Sequence, residues 1–186
     1  MGTKGISLVG FSGTGKSTVA QLIGARLLWP VYDLDRVIVE RSGMTVPDIF
    51  KREGEAGFRA RETEVLREIS DSGPFVIATG GGAFLSAENR RLMEDRSWVV
   101  TLEARPEILL ARIEAQLRRA ESDAIRPLLD AVDPLEQIRS LKASRQPAYA
   151  LADWTVHTDR LSLDQIVSEV IRAVELLEKT PDPSGG

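Results

Sequence analysis

The chain of 186 residues is long enough for one domain with a full hydrophobic core, and its composition, 42% hydrophobic and 28% charged, is ordinary for a globular protein. A formal net charge of −4 argues against a basic nucleic-acid-binding surface, and the absence of cysteine excludes disulfides and thiolate metal sites. Since the sequence contains no apolar run of membrane-spanning length and no secretory signal, we expect a cytoplasmic protein with no membrane partner. We also expect a monomer without a nucleic-acid partner.

A glycine-rich segment near the amino terminus carries the clearest functional signal. Residues 10–18, GFSGTGKST, match the pattern G-x-x-x-x-G-K-[ST] of a phosphate-binding loop, or P-loop. An apolar strand at 6–9 precedes the loop, and apolar residues at helical spacing follow it from 18 to 28. Glycines turn backbone N–H groups toward an anion, and a helix N-terminus adds partial positive charge. The strand, loop and helix together therefore predict a nucleoside triphosphate site rather than a chance glycine-rich turn.

Two side chains of this loop have the chemistry that a triphosphate and its metal require. Lys16 would bridge the outer phosphates, and the hydroxyl of Ser17 would bind Mg²⁺. The loop by itself does not say how the triphosphate is used.

Strands and helices alternate along the rest of the chain. Apolar spacing, turn residues and helix caps together locate them. Strands are expected at 31–32, 75–78, 98–102 and 154–157. Helices are expected at 37–42, 46–53, 55–70, 87–93, from 106 to beyond 113, at 134–145 and at 163–177.

This alternation, uninterrupted by a repeat or a linker, predicts an α/β fold. We expect three α/β/α layers, with a five-stranded parallel sheet covered by helices on both faces. A single domain would span 1–180, followed by a flexible tail at 181–186. The segment at about 115–130 is charged and weakly patterned, which favours a mobile lid; an ordinary charged loop is the alternative.

Three polar segments each follow a predicted strand: the P-loop, Asp33 with Asp35, and the glycines at 80–82. Ligands of parallel sheets bind beyond the carboxyl ends of the strands, so these segments should converge on one cleft. On an extended segment Asp33 and Asp35 would point in opposite directions, one toward a metal and the other toward an acceptor hydroxyl. The alternative is a polar strand end that caps a helix.

Five blocks after the P-loop resemble the shikimate kinase family in type and order, across about residues 6–170. They are Asp33-Leu34-Asp35, GEAGFR at 54–59, Gly80-Gly81-Gly82, RPLL at 126–129 and RQPAY at 145–149. The resemblance implies a P-loop small-molecule kinase with a nucleoside monophosphate kinase-like fold.

The resemblance also implies roles for individual residues. ATP would be bound by Gly13, Thr14, Gly15, Lys16, Ser17, Thr18, Arg112, Arg126 and Arg160. Mg²⁺ would be held by Ser17 and, through water, by Asp33. Shikimate would be bound by Asp35, Arg59, Gly81, Gly82 and Arg145. The catalytic residues would be Lys16, Asp35 at the 3-hydroxyl, and Arg126 in the lid.

The chemistry of these side chains agrees with the implied acceptor site. Arg59 and Arg145 lie on separate elements and suit a small carboxylate, because a guanidinium matches it bidentately. Glu62 lies three residues beyond Arg59 on the same helix face, where it would hold that side chain in place.

The implied reaction is direct in-line transfer from ATP to shikimate, giving ADP and 3-phosphoshikimate, in the route to aromatic amino acids. One alternative is a related P-loop kinase for another small hydroxy compound such as gluconate, which the arginine pair and the 80–82 loop disfavour. A second is a non-catalytic module that senses a small acid, which the presence of both Lys16 and Asp35 disfavours.

Overall fold

The computed structural model describes residues 4–70, 73–119 and 132–180. Five strands alternate with seven helices over these ranges. The strands are β1 (Gly5–Val9), β2 (Val31–Asp33), β3 (Val76–Ala78), β4 (Ser97–Glu103) and β5 (Trp154–His157). The helices are α1 (Lys16–Leu27), α2 (Leu34–Ser42), α3 (Val46–Ser70), α4 (Ala87–Arg96), α5 (Pro106–Arg119), α6 (Pro134–Tyr149) and α7 (Leu163–Lys179), with a 3-10 turn at Ala83–Leu85.

The strands form one parallel sheet in the order β2-β3-β1-β4-β5. Its central strands are apolar without alternation because helices cover both faces. One core cluster joins the sheet to α1 and α7 through residues such as Ile23 and Val170. The other joins it to α2, α3, α5 and α6 through residues such as Phe58 and Ile138. The predicted three-layer fold with a five-stranded parallel sheet is confirmed.

The strand order fixes where a ligand can bind. From β1 the chain passes to β2 at one edge and back to β3, and then crosses β1 to reach β4. The direction of winding therefore reverses at β1, and the carboxyl end beside such a reversal is the usual ligand site of a parallel sheet. The P-loop follows β1 at this position.

Helix boundaries were predicted at two glycines and a proline. The structure agrees with the prediction at the glycines but not at the proline. Gly43 ends α2, and α3 is broken at Gly54 (φ 72°, ψ −177°), as expected from the sequence. The predicted end of α6 before Pro147 is wrong, since the helix continues to Tyr149. Only one short turn follows Pro147, and tertiary contacts of the buried Tyr149 hold that turn against the sheet.

The predicted lid falls partly outside the described residues. Helix α5 extends to Arg119, so the first residues assigned to the lid belong to that helix. Residues 120–131, which include Arg126, and the tail at 181–186 are not described. In the described ranges, no helix has both the length and the apolar character needed to cross a bilayer.

Candidate active site

The P-loop connects β1 to α1 through backbone conformations that glycine makes possible. Gly10 has φ +129°, and a side chain there would collide with the carbonyl oxygen of Leu102. Gly15 caps α1 with φ +94°. The hydroxyl of Thr14 donates to the carbonyl oxygen of Phe11 at 2.9 Å and closes the loop. The amino end of α1 is thereby held beside a cavity, where its free N–H groups favour an anion.

Lys16 is buried beneath this loop. Its Nζ donates to the carbonyl oxygens of Gly10 and Phe11, both at 2.8 Å. Burial lowers the pKa of Lys16 to about 8, although the neighbouring carboxylates of Asp35 and Asp33 oppose the shift. The side chain is therefore a mostly protonated cation at neutral pH, desolvated and held in place before any anion binds.

A cavity of about 320 Å³ opens in front of the P-loop, and we call it the phosphate-side cavity. Among the residues predicted for the site, it brings together Gly13, Gly15, Lys16, Ser17, Thr18, Asp33, Asp35 and Gly81. Its lining also includes Ser12, Thr79, Gly80 and Gln116. The expected convergence of three strand ends on one cleft is confirmed.

The sequence predicted that the side chains of the two aspartates point in opposite directions, and this prediction is wrong. Asp33 ends β2 and caps α2 by accepting the N–H of Arg36 at 3.3 Å, while Asp35 lies in the first turn of that helix. Because α2 begins at Leu34, the alternation of an extended segment stops there, and both carboxylates line the phosphate-side cavity.

Asp35 has one carboxylate oxygen that is buried and unpaired. Its Oδ1 is buried without a hydrogen-bond partner in the described structure. Burial raises the pKa of Asp35, Asp33 raises it further, and Lys16 and Arg59 partly oppose both effects. A carboxylate that binds a proton more readily than usual, on a residue that lines a cavity, is suited to act as a general base.

Arg59 is held by two carboxylates on α3. Its Nη1 donates to Oε2 of Glu62 at 2.6 Å, and its Nη2 donates to Oε1 of Glu55 at 3.1 Å. Glu62 is fully buried, and its second oxygen, Oε1, has no partner among the described residues. The expectation that Glu62 holds Arg59 is confirmed.

Glu62→Gln is expected to remove part of the pH dependence of stability. Burial raises the pKa of Glu62 from 4.5 to about 6, and Arg59 opposes this shift. The folded state binds this proton more tightly than the unfolded state, so the contribution to stability is complete below pH 4.5 and is lost as pH rises through about 6. Relative to the variant, the unmodified chain should lose about 2 kcal/mol of unfolding free energy over this interval.

Urea denaturation at several pH values measures this difference. Glu64→Gln, an exposed position on the same helix, is the matched control and should leave the pH dependence unchanged. Parallel stability curves for the unmodified chain and Glu62→Gln would contradict the expected titration.

The three glycines after β3 each make room for a different charged side chain. A Cβ at Gly80 would lie 2.7 Å from Oδ1 of Asp35, and one at Gly81 would lie 3.1 Å from Nη1 of Arg145. A Cβ at Gly82 would collide with the guanidinium of Arg59. These glycines therefore let a carboxylate and two guanidinium groups approach one short piece of backbone.

Arg145 reaches this loop from α6. Its Nη1 donates to the carbonyl oxygen of Gly81 at 3.3 Å, and its guanidinium lies 5.3 Å from the ring centre of Phe11. Arg145 and Arg59 thus contact consecutive residues of the glycine loop from different helices. They form a positively charged border around one end of the site, as a small carboxylate would require.

A second cavity, of about 330 Å³, also borders the P-loop; we call it the adenine-side cavity after the part of ATP that the family resemblance implies near Arg112. Arg112 lies in its lining and donates to the hydroxyl and carbonyl oxygens of Thr158, both at 2.9 Å. Arg160 is exposed and does not belong to either lining. Gln116 lines both cavities.

Sequence analysis did not predict several residues that line this second cavity. Leu161, Leu163 and Ile166 supply apolar surface at the start of α7. Their position directly after Arg160, which the resemblance assigned to ATP, was the available signal, since a flat aromatic base binds between apolar surfaces. For Gln116 the signal was its spacing, four residues after Arg112 on the same helix.

The polar groups of the phosphate-side cavity fit Mg²⁺ bound together with a nucleotide. The described ranges contain no group of three or more acidic or histidine side chains able to hold a metal. Ser17 and Asp33 nevertheless offer a hydroxyl and a carboxylate in one lining. This small set suits Mg²⁺, which usually takes one or two protein carboxylates and completes its shell with phosphates and water.

The fold and the site define a class of protein. A P-loop lies at the switch point of a parallel sheet, a carboxylate with a raised pKa lines the same cavity, and two arginines border a glycine loop. These features define a P-loop kinase for a small anionic acceptor.

Comparisons with known proteins identify the family. The family model described as shikimate kinase matches residues 12–175. The chain is 44% identical to a shikimate kinase of Symbiobacterium thermophilum, over 91% of this chain and 95% of that protein. It is similar to the solved shikimate kinase of Acinetobacter baumannii in complex with shikimate, with 34% identity, a TM-score of 0.84 and 96% of each chain covered.

The chain therefore belongs to the shikimate kinase family. With this membership the predicted fold, the enzyme class, and the use of ATP, Mg²⁺ and shikimate are confirmed. The roles of individual residues stay predictions.

Proposed function

We propose that this chain transfers the γ-phosphoryl group of ATP to the 3-hydroxyl of shikimate through the residues of the phosphate-side cavity. The observation that carries the proposal is that Lys16 and Asp35 share one cavity, where Asp35 keeps an unpaired buried oxygen. A cation for the phosphates and a base for the hydroxyl are the two groups that direct phosphoryl transfer needs.

The donor half of the site is assigned to the two cavities on either side of the P-loop. The triphosphate would occupy the phosphate-side cavity and receive the N–H groups of 13–18 and the ammonium of Lys16. The adenine would occupy the adenine-side cavity beside Arg112, with Arg160 in the loop at its edge. When bound, Mg²⁺ held by Ser17 and Asp33 would neutralise charge on the phosphates. Arg126, which lies outside the described residues, would close over them.

The acceptor half is assigned to the glycine loop and its neighbours. The carboxylate of shikimate would bind Arg59 and Arg145, and the N–H groups of Gly81 and Gly82 would add hydrogen bonds. Bidentate contacts of this kind fix orientation as well as affinity. The 3-hydroxyl would then face Oδ1 of Asp35.

The chemical step follows from this arrangement. The hydroxyl oxygen attacks the γ-phosphorus while its proton passes to Asp35, and the bond from phosphorus to the bridging oxygen of ADP breaks. Lys16 offsets the charge that develops on the transferred group and on ADP. No covalent bond to the protein forms at any stage.

An assay of ADP release by the purified chain tests the proposal. Mg-ATP with shikimate should give steady turnover, and Mg-ATP alone or with gluconate should give little. A chain that binds shikimate in calorimetry without releasing ADP would instead support the sensing module. Turnover with gluconate in place of shikimate would support the alternative kinase.

Arg145→Ala is expected to weaken shikimate binding selectively. Loss of a charged hydrogen-bond donor to a carboxylate costs about 1.5–3 kcal/mol, so the KM for shikimate should rise about 10- to 100-fold. The KM for ATP should stay unchanged in the same steady-state measurements.

Arg139→Ala is the matched control for this prediction. Arg139 lies on the same helix but is half-exposed and pairs with Glu107, away from the glycine loop. It should leave both KM values unchanged. Equal increases in the two KM values for Arg145→Ala would place Arg145 on the phosphates instead.

We also propose that the chain acts as a monomer in the cytoplasm. Light scattering of the purified chain measures the first property. A stable dimer would contradict it.

A further inference from the structure

The carbonyl oxygen of Gly81 receives two hydrogen bonds of different length. The hydroxyl of Tyr149 donates to it at 2.5 Å, and Nη1 of Arg145 donates at 3.3 Å. The tyrosine bond is short, whereas the arginine bond is near the limit for such an interaction. Tyr149 is therefore the main partner of this carbonyl, and Arg145 is held there weakly.

Tyr149 is itself fixed in position. It is 2% exposed at the end of α6, and its own carbonyl oxygen accepts the hydroxyl of Thr101 on β4 at 3.0 Å. Burial also raises the pKa of the Tyr149 hydroxyl, although the neighbouring Arg145 opposes the shift, so the group stays protonated and remains a donor. The Gly81 carbonyl is thereby connected to the central sheet through a rigid aromatic ring.

Fixing this carbonyl also fixes the next N–H group. In a planar trans peptide the C=O of Gly81 and the N–H of Gly82 point in opposite directions. The hydroxyl of Tyr149 therefore sets the direction of the Gly82 N–H, which points away from it. Within the described structure, no hydrogen bond uses the N–H of Gly81 or Gly82. Among the described residues both donors are therefore unpaired, and Gly81 lies in the lining of the phosphate-side cavity.

The Gly81 carbonyl accepts a hydrogen bond from Nη1 of Arg145, so this bond is lost if Nη1 turns toward a substrate carboxylate. The Gly81 carbonyl is part-buried, and leaving it without a protein donor has a cost, but here Tyr149 remains in place. Without the hydroxyl, Arg145 would be the only partner of this oxygen among the described residues, and a turn of Nη1 to the substrate would remove it.

We propose that Tyr149 is a positioning residue for the acceptor: its hydroxyl holds the Gly81 carbonyl, which releases Arg145 to the substrate carboxylate and directs the Gly82 N–H. The inference rests on the proposed function of this site. In the proposed arrangement Tyr149 does not contact the substrate.

Tyr149→Phe tests the inference, because it removes the hydroxyl and keeps the buried ring. We expect the KM for shikimate to rise about tenfold, with kcat and the KM for ATP within about twofold of the unmodified chain. Tyr32→Phe is the matched control, since Tyr32 is the other tyrosine of the chain and packs against the same core cluster. It should leave all three constants unchanged.

A second comparison separates positioning from general weakening of the fold. In an Arg145→Ala background there is no arginine to release, so adding Tyr149→Phe should raise the KM for shikimate less than it does in the unmodified chain. An equal increase in the KM for shikimate in both backgrounds would contradict the proposal that Tyr149 releases Arg145. Changes of similar size in kcat, both KM values and thermal stability would also overturn the inference.

The outcomes distinguish this inference from the function on which it rests. An active chain whose KM for shikimate is unaltered by Tyr149→Phe would overturn the inference alone. Absence of shikimate-dependent turnover in the unmodified chain would overturn both.

Discussion

Asp35→Asn should lower kcat by about a thousandfold, because general-base catalysis contributes on the order of 10²–10⁴ to a rate and an amide cannot take the proton. The KM for ATP should change little, since only the partner of the acceptor hydroxyl is removed. Steady-state ADP release with varied ATP and varied shikimate measures both constants.

The same variant should not be less stable than the unmodified chain. The raised pKa of Asp35 shows that its ionised form is disfavoured by the folded environment, mainly through burial. Replacing the carboxylate with an isosteric amide removes this cost, although Lys16 loses a neighbouring negative charge. A melting temperature equal to or above that of the unmodified chain would separate lost chemistry from lost structure.

Asp33→Asn provides the contrast within the same cavity. Asp33 is proposed to support the metal, so its variant should raise the KM for Mg-ATP. The melting temperature should change little, because Asp33 caps α2 and asparagine caps a helix about as well as aspartate. If Asp35→Asn instead loses ATP affinity as strongly as Asp33→Asn does, then Asp35 is a metal or structural group and its assignment as the base is wrong.

The sequence predicted those parts of the site whose residues lie close together within one short segment of the chain. The P-loop lies in one unbroken segment between a strand and a helix, so spacing alone located Lys16 and Ser17. Glu62 was found in the same way, because residues three apart on a helix face each other. The short apolar strands bounded by turns likewise predicted the parallel sheet.

The parts that the sequence did not predict depend on contacts between distant segments or on exact boundaries. The hydroxyl of Tyr149 meets the carbonyl of Gly81 across 68 positions, and no spacing rule connects them. The direction of Asp35 depended on α2 beginning at Leu34, and a shift of a few residues in that boundary changes which face the carboxylate occupies. Pro147 was taken as a helix end because its local effect is strong, but packing of the last turn overrode it.

Lys16→Met is expected to reduce kcat/KM for ATP by about a thousandfold, since a preorganised charge that stabilises the transition state is typically worth 10²–10³ or more. In the structure the ammonium is already desolvated, so its attraction to phosphate is screened less than that of an exposed lysine. Because burial lowers the pKa of Lys16 to about 8, kcat/KM for ATP in the unmodified chain should also fall as pH rises through that value.

Lys142→Met is the matched control for the loss of a mostly buried lysine. Lys142 pairs with Glu103 at the end of β4 and lies in neither cavity lining. Its variant leaves Glu103 unpaired, so the melting temperature should fall while kcat/KM for ATP stays close to that of the unmodified chain. Lys16→Met should show the opposite pattern. Removing a desolvated ammonium relieves a burial cost, which offsets the loss of its hydrogen bonds to the carbonyl oxygens of Gly10 and Phe11, and Phe11 keeps the hydroxyl of Thr14 as a donor. If activity in the two variants falls only in proportion to stability, Lys16 supports the loop and does not act on the phosphates.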